Sequence, residues 1–106
     1  MPPWLPRILR RIRELATAGR VRFTFKALRE LAALGLDADD AVEILHGLST
    51  REAHGRLRSE STREWMYVFK VNVGDLEIYL KVAVRDDCIV ISFHDDDWRH
   101  KAGTSK

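Results

Sequence analysis

Four residues carry the types and spacing that chemistry needs: Tyr79, Lys81, Ser92 and His94. They fall in two short runs with β-type alternation. In Leu76–Val84 the apolar set is Leu76, Ile78, Leu80, Val82 and Val84, and Glu77, Tyr79 and Lys81 alternate with it. In Cys88–His94 the apolar set is Ile89, Ile91 and Phe93, which leaves Ser92 and His94 opposite. Side chains on a strand point to alternate faces. An antiparallel pair that buries both apolar sets together therefore gathers Tyr79, Lys81, Ser92 and His94 on its other surface. A phenol, an ammonium, a hydroxyl and an imidazole on one surface can transfer protons beside a phosphate.

Each residue alone has a plainer reading. A histidine at a strand end can be simply solvated, a strand tyrosine half-buried, a strand lysine exposed. Their joint presence on one face favours chemistry, because a solvated face does not need that combination. An imidazole exchanges protons near neutral pH, and Asp95, Asp96 and Asp97 follow His94 closely enough to orient its ring. Tyr79 can position a ribose hydroxyl or pass a proton, and Lys81 can stabilise a phosphorane. His54, Arg56 and Arg58 lie in a polar connection, Ser49 to Arg63; Arg63 and Lys70 flank or occupy the next run, Glu64 to Val73. If the connection folds over the sheet, these cations become phosphate clamps. Arginine suits that role through its bidentate geometry.

The elements that must position these groups can be read in outline. Pro2, Pro3 and Pro6 open a helix in which Leu5, Ile8, Leu9, Ile12, Leu15 and Ala16 form one apolar stripe. Gly19 suits its C-terminal cap. Val21 to Thr24 reads as a short extended link. Thr24 then caps a second helix with Ala27, Leu28, Leu31, Ala32 and Leu34 inward. Asp37 caps a third, with Asp39 and Asp40 in the turn where the helix dipole favours acids. Three β-type runs follow. The expected architecture is α+β: three N-terminal helices packed on a C-terminal antiparallel three-stranded β-meander. Residues 1–94 form a single domain, and 95–106 are expected to be a flexible tail.

Composition narrows the classes. A chain of 106 residues with 45% hydrophobic content makes one modest core. Its single cysteine, Cys88, excludes an internal disulfide and suits packing beside Val90. A reducing cytoplasm is the expected compartment. No apolar run approaches the ~18 residues of a membrane span, and no signal peptide is read. The net charge of +2 hides an asymmetry: residues 1–36 carry +6, 37–48 carry −4, 49–73 carry +2 and 74–106 carry −2. Phosphate-binding glycine loops, H-E-x-x-H and C-x-x-C spacings are missing. No metal site and no cofactor is expected, since a consecutive aspartate run rarely converges on one ion.

The segments Gly19-Arg20-Val21-Arg22, Ala27-Leu28, Leu34-Gly35-Leu36-Asp37, Gly47-Leu48-Ser49, Tyr79-Leu80-Lys81-Val82 and Ile89-Val90-Ile91-Ser92-Phe93 together resemble the MqsR family of type II toxins. The resemblance implies a RelE-like α+β fold and a sequence-selective, ribosome-independent mRNA endonuclease. It implies mRNA as substrate and a cognate antitoxin of zinc-finger plus helix-turn-helix type, in a complex that can be a heterotetramer. The family's catalytic tyrosine falls on Tyr79. Its C-terminal catalytic lysine falls on His94, a departure that exchanges a fixed charge for an acid–base group. A family lysine in the connection falls among His54, Gly55 and Arg56, and a glutamine after the strand tryptophan is replaced by Met66. On this reading His94, Tyr79, Lys81, Arg56 and His54 carry catalysis, and Arg58, Arg63 and Lys70 bind RNA. The alternatives are a non-catalytic RNA-binding or antitoxin-binding module, an inactive toxin that acts only through its antitoxin, and a ribosome-dependent RelE-like toxin.

Overall fold

The computed structural model describes residues 1–96. The first helix, α1 (Trp4–Thr17), buries the anticipated stripe: Leu5, Leu9, Ile12, Leu15 and Ala16 are in the core. It ends where Gly19, at φ +72°, turns the chain. The Gly19 N–H then reaches the Ala16 carbonyl at 3.2 Å and the Arg20 N–H the Leu15 carbonyl at 2.8 Å. Two carbonyls orphaned at the helix end are thus satisfied. Thr24 caps α2 (Phe25–Ala33), its hydroxyl accepting from the Ala27 N–H. Asp37 and Asp40 form a capping box on α3 (Ala38–His46). Within α2 only Ala27 and Leu31 are buried; Leu28 and Ala32, expected inward, are exposed.

The sheet differs from the expected three-stranded antiparallel meander. Among the described residues it has five strands and is mixed: β1 (Val21–Phe23), β2 (Ala53–Arg58), β3 (Trp65–Val73), β4 (Leu76–Val84) and β5 (Cys88–Asp95), in the order β1-β5-β4-β3-β2. The link at Val21–Phe23 is a strand that pairs in parallel with Cys88–Val90. Three residues are too few to display an alternation, and their partner is remote in sequence. The polar connection also contains structure. A one-turn 3₁₀ helix at Thr50–Glu52 leads into β2, which pairs antiparallel with β3. Gly55 and the surrounding basic residues hide β2's alternation.

A bulge organises β5. Lys81 pairs with Ser92 while Val82 pairs with Val90, so Ile91 is the extra residue. The bulge puts Cys88, Val90 and Phe93 in the core, whereas Ile89 and Ile91 are only half-buried. The expected set Ile89, Ile91, Phe93 was therefore correct at Phe93 alone, because strict alternation fails at a bulge. Beyond the bulge, Ser92 and His94 still lie opposite Phe93. The core between helices and sheet joins Ile12, Leu31, Leu45 and Leu48 to Phe69, Ile78, Leu80, Val82, Val90 and Phe93. Of the tail expected over 95–106, Asp95 completes β5, and residues 97–106 lie outside the described residues.

Past Val90, β1 no longer covers the edge of β5, and α2 takes over. The Thr24 N–H donates to the Val90 carbonyl (3.1 Å), and its hydroxyl donates to the carbonyl of the bulged Ile91 (3.1 Å). Glu30 Oε1 accepts from the Phe93 N–H at 2.8 Å. Thr24 thus caps the helix and ties it to the sheet. Thr24→Ala should lower stability by about 1–2 kcal/mol, the upper range for a lost threonine cap. Thr24→Ser should restore most of it. Urea unfolding checks this: the midpoint should fall while the slope is unchanged.

Candidate active site

The register of the sheet decides which side chains meet. Tyr79 on β4 lies directly opposite His94 on β5, and Lys81 directly opposite Ser92. On the other side of β4, Tyr79 faces Lys70 and Lys81 faces Val68. Two cross-strand rows result, Lys70–Tyr79–His94 and Val68–Lys81–Ser92. They form the floor of a cavity of roughly 570 Å³ on the face away from the core. His54, Gly55, Arg56 and Leu57 of β2 border it on one side, and Lys26 of α2 on the other.

The Tyr79 and His94 rings are stacked, nearly parallel at 6° with centroids 5.0 Å apart. His94 Nδ1 is 3.0 Å from the Asp95 carbonyl oxygen. A carbonyl only accepts, so this contact places a proton on Nδ1, and in the neutral ring the lone pair then resides on Nε2. The backbone carbonyl of Asp95 thus orients the ring. Asp96 instead pairs with Lys70 at 3.3 Å, and Asp97 lies outside the described residues. No three His, Cys, Asp or Glu side chains gather as a metal site among the described residues.

Lys26 was missed by sequence reasoning. Its Nζ donates to Ser92 Oγ at 2.9 Å and pairs with Glu30 Oε2 at 3.0 Å. Only its i, i+4 spacing to Glu30 was visible beforehand, and that spacing usually marks an exposed helix face. Its presence matters for Lys81, whose ammonium titrates below its ordinary value. Burial is the main cause, the nearby Lys26 charge adds to it, and Glu30 opposes.

The remaining cations are dispersed. His54 and Lys70 line the cavity and also a second hollow of roughly 490 Å³ beside it. Gly55, between His54 and Arg56, holds φ +148° at an irregularity in β2. A side chain there would have open space but a strained backbone. Arg56 borders the cavity, yet its guanidinium stacks 3.8 Å from the Trp65 ring centre and 4.7 Å from that of Trp4. Arg58 stacks on Trp65 at 4.4 Å. Arg63 sits in the β2–β3 turn at φ 64°. Neither Arg58 nor Arg63 lines the cavity. Met66 pairs with Leu57 and Ala83, one row beyond Lys81.

The profile of the family described as "Motility quorum-sensing regulator, toxin of MqsA" matches residues 7–95. The chain belongs to this family. The mRNA interferase toxin MqsR of Escherichia coli (strain K12) is 31% identical over 86 residues, which cover 80% of this chain and 88% of that toxin. The resemblance to this family is borne out, and the matched span contains all the cavity-lining residues except Asp96.

A half-buried ammonium beside another is unfavourable for the fold. At neutral pH the folded state carries the full cost of keeping Lys81 charged. As pH rises from the lowered native value toward the ordinary 10.5, the native state loses its proton first and the cost is relieved. Lys81→Met should therefore raise the urea midpoint at pH 7, and its advantage should shrink as pH approaches 10.5. A pH series of urea melts on both proteins measures this.

Proposed function

We propose that this chain is the toxin of a type II toxin–antitoxin pair and cleaves mRNA at the cavity over β3–β5. Family membership gives the activity class. The pairing of Tyr79 with His94 and of Lys81 with Ser92, on one face and in one cavity, is the observation that carries the site assignment. RNA contains its own nucleophile. The ribose 2′-hydroxyl attacks the adjacent phosphorus, its proton leaves to a base, and the 5′-oxygen departs with a proton. A 2′,3′-cyclic phosphate and a 5′-hydroxyl remain. The protein need only move two protons and hold charge, so the reaction requires no metal.

His94 is the general base, since Nδ1–H is engaged by the Asp95 carbonyl and Nε2 carries the lone pair. Tyr79, stacked on it, positions the ribose and supplies a proton path. Lys81 stabilises the phosphorane, and Lys70, paired with Asp96, contacts RNA in the adjoining row. His54 contacts RNA at the β2 wall, with Arg56 beside it. Arg58 and Arg63 contact flanking phosphates outside the cavity. Among the described residues no helix is long and apolar enough to cross a membrane, and we place the toxin with its mRNA in the cytoplasm. Its partner is an antitoxin, which the family resemblance suggests is a zinc-finger plus helix-turn-helix protein in a heterotetramer.

Single-turnover cleavage alongside equilibrium RNA binding tests this reading. Tyr79→Phe and His94→Ala should each slow cleavage about 10²–10⁴-fold, the usual contribution of an acid–base group, with affinity nearly unchanged. His94→Ala should also alter the pH–rate profile. A substrate with 2′-deoxyribose at the scissile position should bind and resist cleavage, and excess chelator should leave the wild-type rate intact. If rate and affinity fall together in both variants, the face is a binding surface and the catalytic assignment is wrong.

A further inference from the structure

Three lysines surround the cavity, and their pairing is unequal. Lys70 is neutralised by Asp96 and Lys26 by Glu30. Among the described residues Lys81 has no ion pair. The fold nevertheless brings Lys26 toward Lys81, through Ser92, which receives the Lys26 hydrogen bond and stands directly opposite Lys81. Glu30 offsets the repulsion only in part, because its other oxygen is committed to the Phe93 N–H. Lys26 is not required for the core: its side chain is 53% exposed. Bringing a second ammonium beside a half-buried one opposes folding, and the arrangement becomes favourable when an anion lies between them.

We infer that Lys26 contacts the phosphate directly, forming with Lys81 a two-lysine clamp on the non-bridging oxygens of the phosphodiester held at the β5 side of the cavity. An ammonium has three donors. Ser92 and Glu30 take two of those of Lys26, and the third is left for a phosphate oxygen. Thr24 and Glu30 fix where this donor sits, because both tie α2 to β5 next to the bulge. Lys26 thereby deepens the ribonuclease reading, on which its role in cleavage rests. Its phosphate contact, however, can be measured without any cleavage.

The experiment titrates wild type, Lys26→Met and Lys26→Arg with a 3′-nucleoside monophosphate, followed by ³¹P NMR, beside single-turnover cleavage of RNA. Thermal unfolding should show Lys26→Met folded, as expected for an exposed helix position. Lys26→Met should weaken nucleotide binding about 10- to 100-fold, the range for a charge-assisted hydrogen bond. It should also slow cleavage, and flatten the dependence of log RNA affinity on log salt by about 0.7, one phosphate contact on a single strand. Lys26→Arg should recover most of the binding. Equal nucleotide affinity and equal salt slope in wild type and Lys26→Met would overturn the clamp, as would a wild type that does not bind the nucleotide. If wild type binds the nucleotide but never cleaves RNA, the ribonuclease reading fails, and the Lys26→Met titration still decides the clamp.

Discussion

The extra residue at Ile91 is the constraint on which the site depends. Without it, Val90, Ser92 and His94 would share one face by strict alternation. Either Val90 would leave the core, or Ser92 and His94 would enter it. The bulge lets one strand supply Val90 and Phe93 to the interior and still turn Ser92 and His94 to the opposite surface, opposite Lys81 and Tyr79. It also presents the Ile91 carbonyl to the Thr24 hydroxyl, which anchors the first turn of α2. Lys26, two residues on, reaches Ser92 because of that anchor. Bulges commonly re-aim side chains in this way next to functional sites. Here a single inserted residue sets both the floor of the cavity and one of its walls.

Charge is distributed so that the floor stays positive. Glu30 and Asp96 sit at the margins, each holding a lysine, and neither pairs with Lys81. Elsewhere, guanidinium groups are put to structural use. Arg56 lies over Trp65 and Trp4, and Trp4 in turn rests 5.5 Å from Tyr67. This stack joins the start of α1 to β2 and β3; each such cation–π contact contributes on the order of 0.5–1 kcal/mol when exposed. Cys88 is the counterexample to reactivity. It is fully buried, and burial pushes its thiol up to about 12, which leaves almost no thiolate at neutral pH.

The legible and illegible parts of this fold divide by range. Helices written in local signals, such as the stripe of α1, the Thr24 cap and the Asp37 capping box, were readable because caps and 3.6-residue periodicity are properties of neighbours in sequence. The long strands β3 and β4 were readable from alternation. Val21–Phe23 and Ala53–Arg58 were not, since each becomes a strand only through a distant partner, and Gly55 and three polar side chains mask the second. The polar face was assigned rightly for β5 even though its apolar set was not, because parity between Ser92, His94 and Phe93 holds on the C-terminal side of the bulge. Lys26 was invisible for another reason: nothing in a helix sequence says that one of its exposed residues reaches over a sheet edge.

The two faces of the sheet divide the labour between holding the fold and serving the site. Phe69, Ile78, Leu80, Val82, Val90 and Phe93 are each no more than 1% exposed, and burying a side chain of this size contributes about 1.5–3 kcal/mol. Tyr79, Lys81 and His94 are only half-buried, on the side away from that core, and Lys81 opposes folding. Exchanging these residues removes little apolar burial, and at Lys81 it removes a cost. A site built this way sits at the familiar tension between stability and activity, where groups held ready for a ligand are not those that favour the empty fold. Positions 54–56, 66 and 94 follow the same separation: all lie on β2 or on the polar face, none in the buried core. Substitution on that surface changes which groups it presents and leaves the packing beneath it intact.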